Sequence, residues 1–345
     1  MAAHAHAAPD PAAVAWPTLH GDAFADCPVL VTGGAGFIGS HLTEALLDLG
    51  ARVTVLDDLT GGDVANFDTF RERAGDRLRF VEGSILDTAL VRDCMQQVRY
   101  VFHQAALGSV PHSVEQPAHY HAVNATGTLH VLEAARAAGV VRVMFAASSA
   151  AYGDSEALPK IETMPVRPQS PYAATKVAGE ALLRAYASSY ALDTVALRYF
   201  NIFGPRQNAN SAYAAVIAAF AKALLAGRRP VIFGDGEQSR DFTYVANAVH
   251  ANLLAARVPR PLQGAVLNVA CGRRVSVNEL ATLMARQLGR PDLTPTHEPV
   301  RAGDVKHSQA DLTQIAAALD YAPLVPFEPG LAATVDWYRT TPATA

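Results

Sequence analysis

Apolar and polar positions alternate in blocks from Val29 onward. Val29-Leu30-Val31-Thr32 is a short apolar run that enters Gly33-Gly34-Ala35-Gly36. Behind these glycines Phe37, Leu42, Ala45, Leu46 and Leu49 recur at helical spacing. Further strand-like runs occupy 52–57, 78–83 and 99–103, and 140–147 is apolar almost throughout. Helical patterns fill 121–139 and 171–190, and later ones cover 310–319 and 330–339. Strands alternating with helices predict an α/β fold with a doubly wound parallel sheet. Its ligand crevice lies at the carboxyl ends of the strands.

The first turn narrows this to a Rossmann-type sheet. Gly33 suits a tight turn, Gly36 lets backbone approach a diphosphate, and Gly39 lets the helix pack closely on the strand. Phe37 and Ile38 open the helix, whose first N–H groups and positive dipole end face the phosphates. Asp57 ends the second strand 18 residues beyond Gly39, where a carboxylate accepts from an adenosine ribose. An acid there repels a 2′-phosphate and no arginine follows it, so the expected cofactor is NAD rather than NADP. Asp87, after the third strand, either reaches the adenine or simply caps the next helix. Gln104 and Ala105 follow the fourth strand, where small residues let a dinucleotide lie over the sheet edge. Asn124 stands near the start of the helix after that.

Catalytic chemistry is expected where the fifth strand ends, at Ser148-Ser149-Ala150-Ala151-Tyr152. A proline-rich loop then leads into Tyr172-Ala173-Ala174-Thr175-Lys176. Tyr172 and Lys176 are four apart, on one helical face. An ammonium beside a phenol stabilises the phenolate and lowers its pKa, so that tyrosine exchanges a proton with a substrate hydroxyl near neutral pH.

Composition removes other classes. Half of the 345 residues are hydrophobic, and a net charge of -4 gives no electrostatic reason to expect nucleic acid. Cys27, Cys94 and Cys271 are scattered, without pairing or metal-ligand spacing. No metal site is expected. Residues 1–26, rich in Ala, His and Pro, read as a disordered tail without the basic start and apolar core of a signal peptide. No apolar run reaches membrane-spanning length, so the expected location is cytoplasmic. The expected organisation is an NAD-binding domain over 27–200 and a mainly substrate-binding smaller lobe over 201–345, with chain segments interleaving.

Thr32–Gly39, Ser148-Ser149, Tyr172–Lys176 and Leu197-Arg198-Tyr199-Phe200-Asn201-Ile202-Phe203-Gly204-Pro205 together resemble the extended short-chain dehydrogenase/reductases, specifically the nucleotide-sugar 4-epimerases. The resemblance runs from about 28 to 338. It implies a tightly bound NAD, a UDP-sugar substrate and a homodimer built on the two long helices at 121–139 and 171–190. Tyr172 would deprotonate the sugar C4 hydroxyl, the 4-keto sugar would turn over, and hydride would return to its other face. Ser148, four residues before Tyr152, matches the hydroxyl that bonds the C4 oxygen, with Ser149 the alternate. The family's sugar dehydratases and decarboxylases carry carboxylates at this turn, where this chain has Ser149-Ala150-Ala151.

The resemblance also assigns the substrate residues. Arg240 and Arg301 would clamp the UDP diphosphate, a task that suits the guanidinium fork. Asn201 would join them, Phe233 would lie against uracil and Asp304 would hold the ribose. Ala215 and Val216, in a stretch that resembles the N-acetylhexosamine branch, would line the nucleotide. Ser308 stands where hexose-restricted epimerases carry a bulky tyrosine, so its small volume implies UDP-GlcNAc and UDP-GalNAc, with UDP-Glc and UDP-Gal also accepted. UDP-glucuronate is the alternative sugar, with Arg206 the first candidate to read its C6 carboxylate. An inactive nucleotide-sugar-binding scaffold would lack Tyr172, Lys176 or the strand-end serine, and all are present.

Overall fold

The computed structural model describes residues 13–208, 216–300 and 306–341. Its centre is a sheet of seven strands: β1 (Pro28–Thr32), β2 (Arg52–Asp57), β3 (Leu78–Glu82), β4 (Tyr100–His103), β5 (Arg142–Ser148), β6 (Asp193–Tyr199) and β7 (Ala265–Val269). They lie in the order β7-β6-β5-β4-β1-β2-β3, every neighbouring pair parallel. The order reverses between β1 and β4, which opens the crevice at their carboxyl ends. This is the doubly wound Rossmann-type sheet that the alternation predicts.

Five helices matter most for the site: α1 (Trp16–His20), α2 (Phe37–Asp48), α3 (Gly127–Ala138), α4 (Pro171–Tyr190) and α5 (Val245–Arg257). Val29 and Val31 of β1 join one apolar core with Leu42 and Leu46 of α2 and Val249 and Leu253 of α5. Leu30 joins the other, with Val131 and Leu132 of α3 and Leu183 of α4. Both faces of the sheet are covered, which is why its strands read as apolar runs rather than alternating ones.

Three departures from the sequence pattern have physical causes. The helix expected over 121–139 is instead Pro117–His121, a π-helical turn Ala122–Thr126, and then α3. That turn holds the buried Asn124, whose side chain bonds the backbone of Leu107. The fifth strand starts later than its apolar run, because Gly139 ends α3 at φ 69° and Val140 N–H still donates to Ala135 O at 3.0 Å. Residues 13–26, expected to be part of a disordered tail, are ordered. Trp16, His20 and Phe24 are buried on the core, and His20 Nε2 meets His250 Nδ1 of α5 at 3.2 Å.

Past residue 200 the chain both builds a smaller lobe and returns to the sheet with α5 and β7. The lobe contains the helix Val216–Leu225, the pair Val231–Phe233 and Thr296–Glu298, and the pair Ser239–Arg240 and Val275–Ser276. Among the described residues no helix is long and apolar enough to cross a membrane.

Candidate active site

The glycine turn does what its spacing requires. Gly33 has φ 69°, and a Cβ on it would stand 2.6 Å from the Ala105 nitrogen. On Gly39 a Cβ would stand 2.0 Å from the Gly33 carbonyl oxygen, so α2 rests directly on the turn. Gly36 is different, since its Cβ would meet only Gly33 O, at 3.3 Å. Its outer face is open. Gly36 caps α2 without a side-chain bond, and Phe37 and Ile38 form the first turn of that helix. Asp57 is buried beside them and takes Ala35 N–H on Oδ2 and Leu59 N–H on Oδ1, each at 2.9 Å. Burial raises its carboxyl, and the N–H donors oppose that shift.

Three of the candidate cofactor residues, Gln104, Asn124 and Asp87, make hydrogen bonds within the protein. Gln104 turns into a closed group: Tyr199 O–H donates to its Oε1 at 3.2 Å, and its Nε2 donates to Asn252 Oδ1 at 3.3 Å. Asn124 receives Leu107 N–H on Oδ1 at 2.8 Å, and its Nδ2 donates to Leu107 O and to Thr175 Oγ1, each at 3.1 Å. That spends its side chain on bracing the loop after β4 against α4. Asp87 is the helix cap of the two readings, with Oδ1 accepting from Ala89 and Leu90 N–H at 3.0 Å. Ala105 lies where expected, its N–H donating to Thr32 Oγ1 at 3.3 Å beneath the glycine turn.

The candidate group of Ser148, Tyr172 and Lys176 assembles from β5 and α4. Ser170 Oγ caps α4 by accepting Ala173 N–H at 3.1 Å, and Pro171 begins the helix without needing a donor. Tyr172, Thr175, Lys176, Gly179 and Glu180 then follow one face. A Cβ on Gly179 would stand 2.4 Å from the Phe145 ring, so the helix sits tightly on β5. The Lys176 ammonium is buried, donates to Ala146 O at 2.8 Å and lies 5.0 Å from the Phe145 ring centroid and 5.9 Å from that of Tyr172. Burial pulls it down to about 7. The Ser148 side chain acts on the Tyr172 phenol. The sequence reading has Lys176 lowering the phenol. Instead burial raises it, and Ser148 is the group that pulls the other way. Ser148 Oγ also accepts Ala150 N–H at 3.2 Å, which fixes the turn Ser149–Tyr152. Of the two serines, Ser148 is the one that acts on the tyrosine's phenol.

Ser148 pairs in register with Tyr199, two residues before Asn201, which brings the smaller lobe to the same crevice. Asn201 Nδ2 donates to Asp241 O at 3.3 Å, and Arg240 Nη1 donates to Lys306 O at 3.2 Å. Ser308 N–H donates to Ser239 O at 3.0 Å, and Gln238 Nε2 to Phe233 O at 2.7 Å. Asn201, Phe233, Arg240 and Ser308 are thus brought together around 238–241. Val216 starts its helix, while Ala215, Arg301 and Asp304 lie outside the described residues. Arg206 does not join this cluster. Its Nη2 donates to Glu44 Oε2 of α2 at 2.5 Å and to Thr69 Oγ1 at 3.0 Å, and its guanidinium lies over Phe70.

Asp241 was not marked by the sequence reading. Its buried carboxylate accepts from Cys271, Gly272 and Ala310 N–H at 3.0, 3.0 and 3.1 Å, tying the strand of Arg240 to the segment of Ser308. Burial pushes it up to about 6. An acid directly after Arg240 was the available signal. The buried Tyr120, whose phenol faces Ser109 and neighbours Tyr172, carried no such signal.

The model of the NAD dependent epimerase/dehydratase family matches residues 29–270. The chain belongs to the NAD-dependent epimerase/dehydratase family. A UDP-glucose 4-epimerase of Mycolicibacterium smegmatis is 41% identical over 315 residues, spanning 90% of this chain and 98% of that protein. The solved UDP-N-acetylglucosamine 4-epimerase of Methanobrevibacter ruminantium, in complex with UDP-N-acetylmuramic acid, superposes with a TM-score of 0.86. It is 40% identical, covering 92% of this chain and 99% of that one. A Thermus thermophilus UDP-glucose 4-epimerase in complex with NAD gives 0.81 at 36% identity, over 91% and 99%. NAD is the cofactor of the family, and the residues here fit it: Gly36 leaves the turn open, Asp57 lies beside that turn, and the Lys176 ammonium reaches the same crevice. The family match starts at residue 29, so α1 lies ahead of it.

Proposed function

We propose that this protein is a UDP-sugar 4-epimerase that interconverts C4 epimers through a transient 4-keto sugar. The observation that carries the reading is the buried Lys176 ammonium 5.9 Å from the Tyr172 ring centroid, at the end of a strand whose turn Ser149–Tyr152 contains no carboxylate. Removing water needs an added acid and base at that turn, and the family's decarboxylases place a Glu there, whereas epimerisation needs only one proton taken and returned.

Gly33, Gly36 and Gly39 would seat the NAD diphosphate and Asp57 its ribose; when bound, NAD supplies the acceptor and then the donor of a hydride. Tyr172 takes the proton from the C4 hydroxyl and later gives it back. Ser148 Oγ holds the C4 oxygen within reach of the phenol. Lys176, its ammonium 5.9 Å from the Tyr172 ring centroid, stands beside the phenol on the cofactor side of the crevice. Asn201 and Arg240, with Arg301, bind the UDP diphosphate, Phe233 lies against uracil, and Asp304 holds its ribose. Val216 and Ala215 line the nucleotide. The small Ser308 leaves room for a 2-N-acetyl group, which favours UDP-GlcNAc and UDP-GalNAc, with UDP-Glc and UDP-Gal as further substrates. The Arg206 bond to Glu44 disfavours the alternative in which Arg206 reads a uronate carboxylate.

Turnover over a UDP-sugar panel, with Tyr172→Phe alongside wild type, tests this. The variant should keep its fold and its NAD, identified by mass spectrometry after denaturation, yet lose at least about a hundredfold in kcat. Near-wild-type turnover would overturn the role of Tyr172, and mainly NADP in the released cofactor would overturn that of Asp57.

A further inference from the structure

A buried chain of hydrogen bonds runs from beneath the glycine turn to the helix of Tyr172, and its hinge is a histidine that the mechanism above leaves unused. His103, at the end of β4, is 1% exposed. Its Nδ1 lies 2.7 Å from Thr32 Oγ1 and its Nε2 lies 2.9 Å from Thr128 Oγ1. Thr32 is the last residue before Gly33. Thr128 lies in the first turn of α3, against the π-helical turn that holds Asn124.

The neighbours fix the direction of every proton. Thr128 Oγ1 donates to Asn124 O at 2.6 Å, so toward His103 it accepts, and Nε2 carries the hydrogen. Nδ1 is then the acceptor, and Thr32 Oγ1 donates to it while itself accepting Ala105 N–H. Onward from Asn124, Nδ2 donates to Thr175 Oγ1, which donates to Tyr172 O at 2.8 Å. Each member has one role, and a neutral Nε2–H imidazole is the form that satisfies all of them. A second ring proton would face a hydroxyl whose own proton then has no acceptor. It would also add a charge near Lys176, and burial together with that lysine pulls His103 down to about 3.

We infer that His103 is a positioning residue: a neutral strut between Thr32 and Thr128 that sets the glycine turn and the Tyr172–Lys176 helix at a fixed separation. The strut acts through Tyr172. With it intact, the Asn124–Thr175 link holds the Tyr172 backbone, and with it the phenol, in register with Ser148, which opposes the effect of burial. With it cut, α4 loses one of its ties to the glycine turn, the phenol drifts from Ser148, and it becomes a weaker acid. This deepens the epimerase reading, but the strut itself exists whether or not that reading holds.

Thr128→Val is the decisive variant, nearly isosteric and outside the substrate and cofactor contacts; Thr32→Val cuts the same chain from the other side. On the full-length protein with NAD bound, ¹⁵N-histidine NMR should report His103 as neutral Nε2–H from pH 5 to 9. ¹³Cζ-tyrosine titration should show Tyr172 moving to higher pH in both variants, by about half to one unit. In kinetics kcat should fall about three- to tenfold, the rate equivalent of one net hydrogen bond, with KM for the UDP-sugar unchanged. The acidic limb of the pH profile should move up with the Tyr172 titration. A purely structural role would lower the melting temperature and leave the Tyr172 titration in place, which overturns the proposal. So would a charged or Nδ1–H His103 at pH 7. Absence of turnover in the wild type would count against the epimerase reading alone, because both NMR readouts stand without it.

Discussion

Under the proposed function, the choice of sugar at Ser308 reduces to side-chain volume. Its backbone is fixed by the bond to Ser239 O, one residue from Arg240, so a larger side chain there has no freedom to swing away with its strand. Ser308→Tyr should fill the space beside C2, and overfilling a packed site costs about 1–3 kcal/mol. The expected outcome is a loss of roughly five- to a hundredfold in kcat/KM for UDP-GlcNAc, with UDP-Glc spared. Steady-state kinetics on the two sugars check it, and an equal loss on both would remove Ser308 from the sugar site. The same scale explains which residues the sequence could disclose. Gly33 and Gly39 were legible because the constraint is on the backbone, where a missing Cβ is itself the signal. Asn124, Gln104 and Arg206 were not, because partners far along the chain set where their side chains point. Asn124 answers to Thr175, 51 residues on, and Arg206 to Glu44, 162 residues back.

Among elements, α4 was fully legible over Pro171–Tyr190, since its Ser170 cap, its leading proline and its apolar spacing all agree. What anchors it was not. Glu180, one turn beyond Lys176, holds Arg198 of β6 through both carboxylate oxygens at 2.8 and 2.7 Å, and both side chains are buried. The Arg198 guanidinium also lies 4.6 Å from the Tyr152 ring centroid, so one ion pair joins helix, strand and serine turn. Breaking such a pair leaves a buried charge without its counterion, which costs about 3–5 kcal/mol. Glu180→Gln should therefore lower the melting temperature by roughly 4–7 °C. Replacing both partners with apolar residues should recover most of that loss. A melting curve unchanged in Glu180→Gln would show that the pair does not hold α4 in place. The π-helical turn and α1 escaped the pattern for different reasons. The turn inserts within an otherwise helical run, and an alanine- and proline-rich setting masks Trp16 and Phe24.

For the whole molecule, buried histidines decide the response to acid. Burial is the main cause that pulls His20, His41 and His250 down to about 4 and His103 to about 3. In the unfolded chain these imidazoles take up protons below about 6.5. Stability is therefore lost as pH falls from about 6.5 to about 4, because only the unfolded state binds protons there. Asp241 works the other way. Held at about 6 in the fold, it gains stability on protonation as pH drops toward the ordinary carboxylate range. The Asp57 and Glu162 carboxyls, also raised by burial, add to Asp241 in the same sense. Four histidines displaced to about 4 or below outweigh them, so the melting temperature should fall steadily between pH 6.5 and 4.5. A flat or rising melting temperature over that window would contradict the account. The docking of α1 has a further consequence, in time rather than energy. His20 meets a partner 230 residues later in the chain, on a helix that cannot form until most of the protein has been made. At about 5–20 residues per second that interval is roughly 10–50 s of synthesis. The contact of His20 with α5 is thus among the last that this early segment can make, after its packing on α2 and Tyr100.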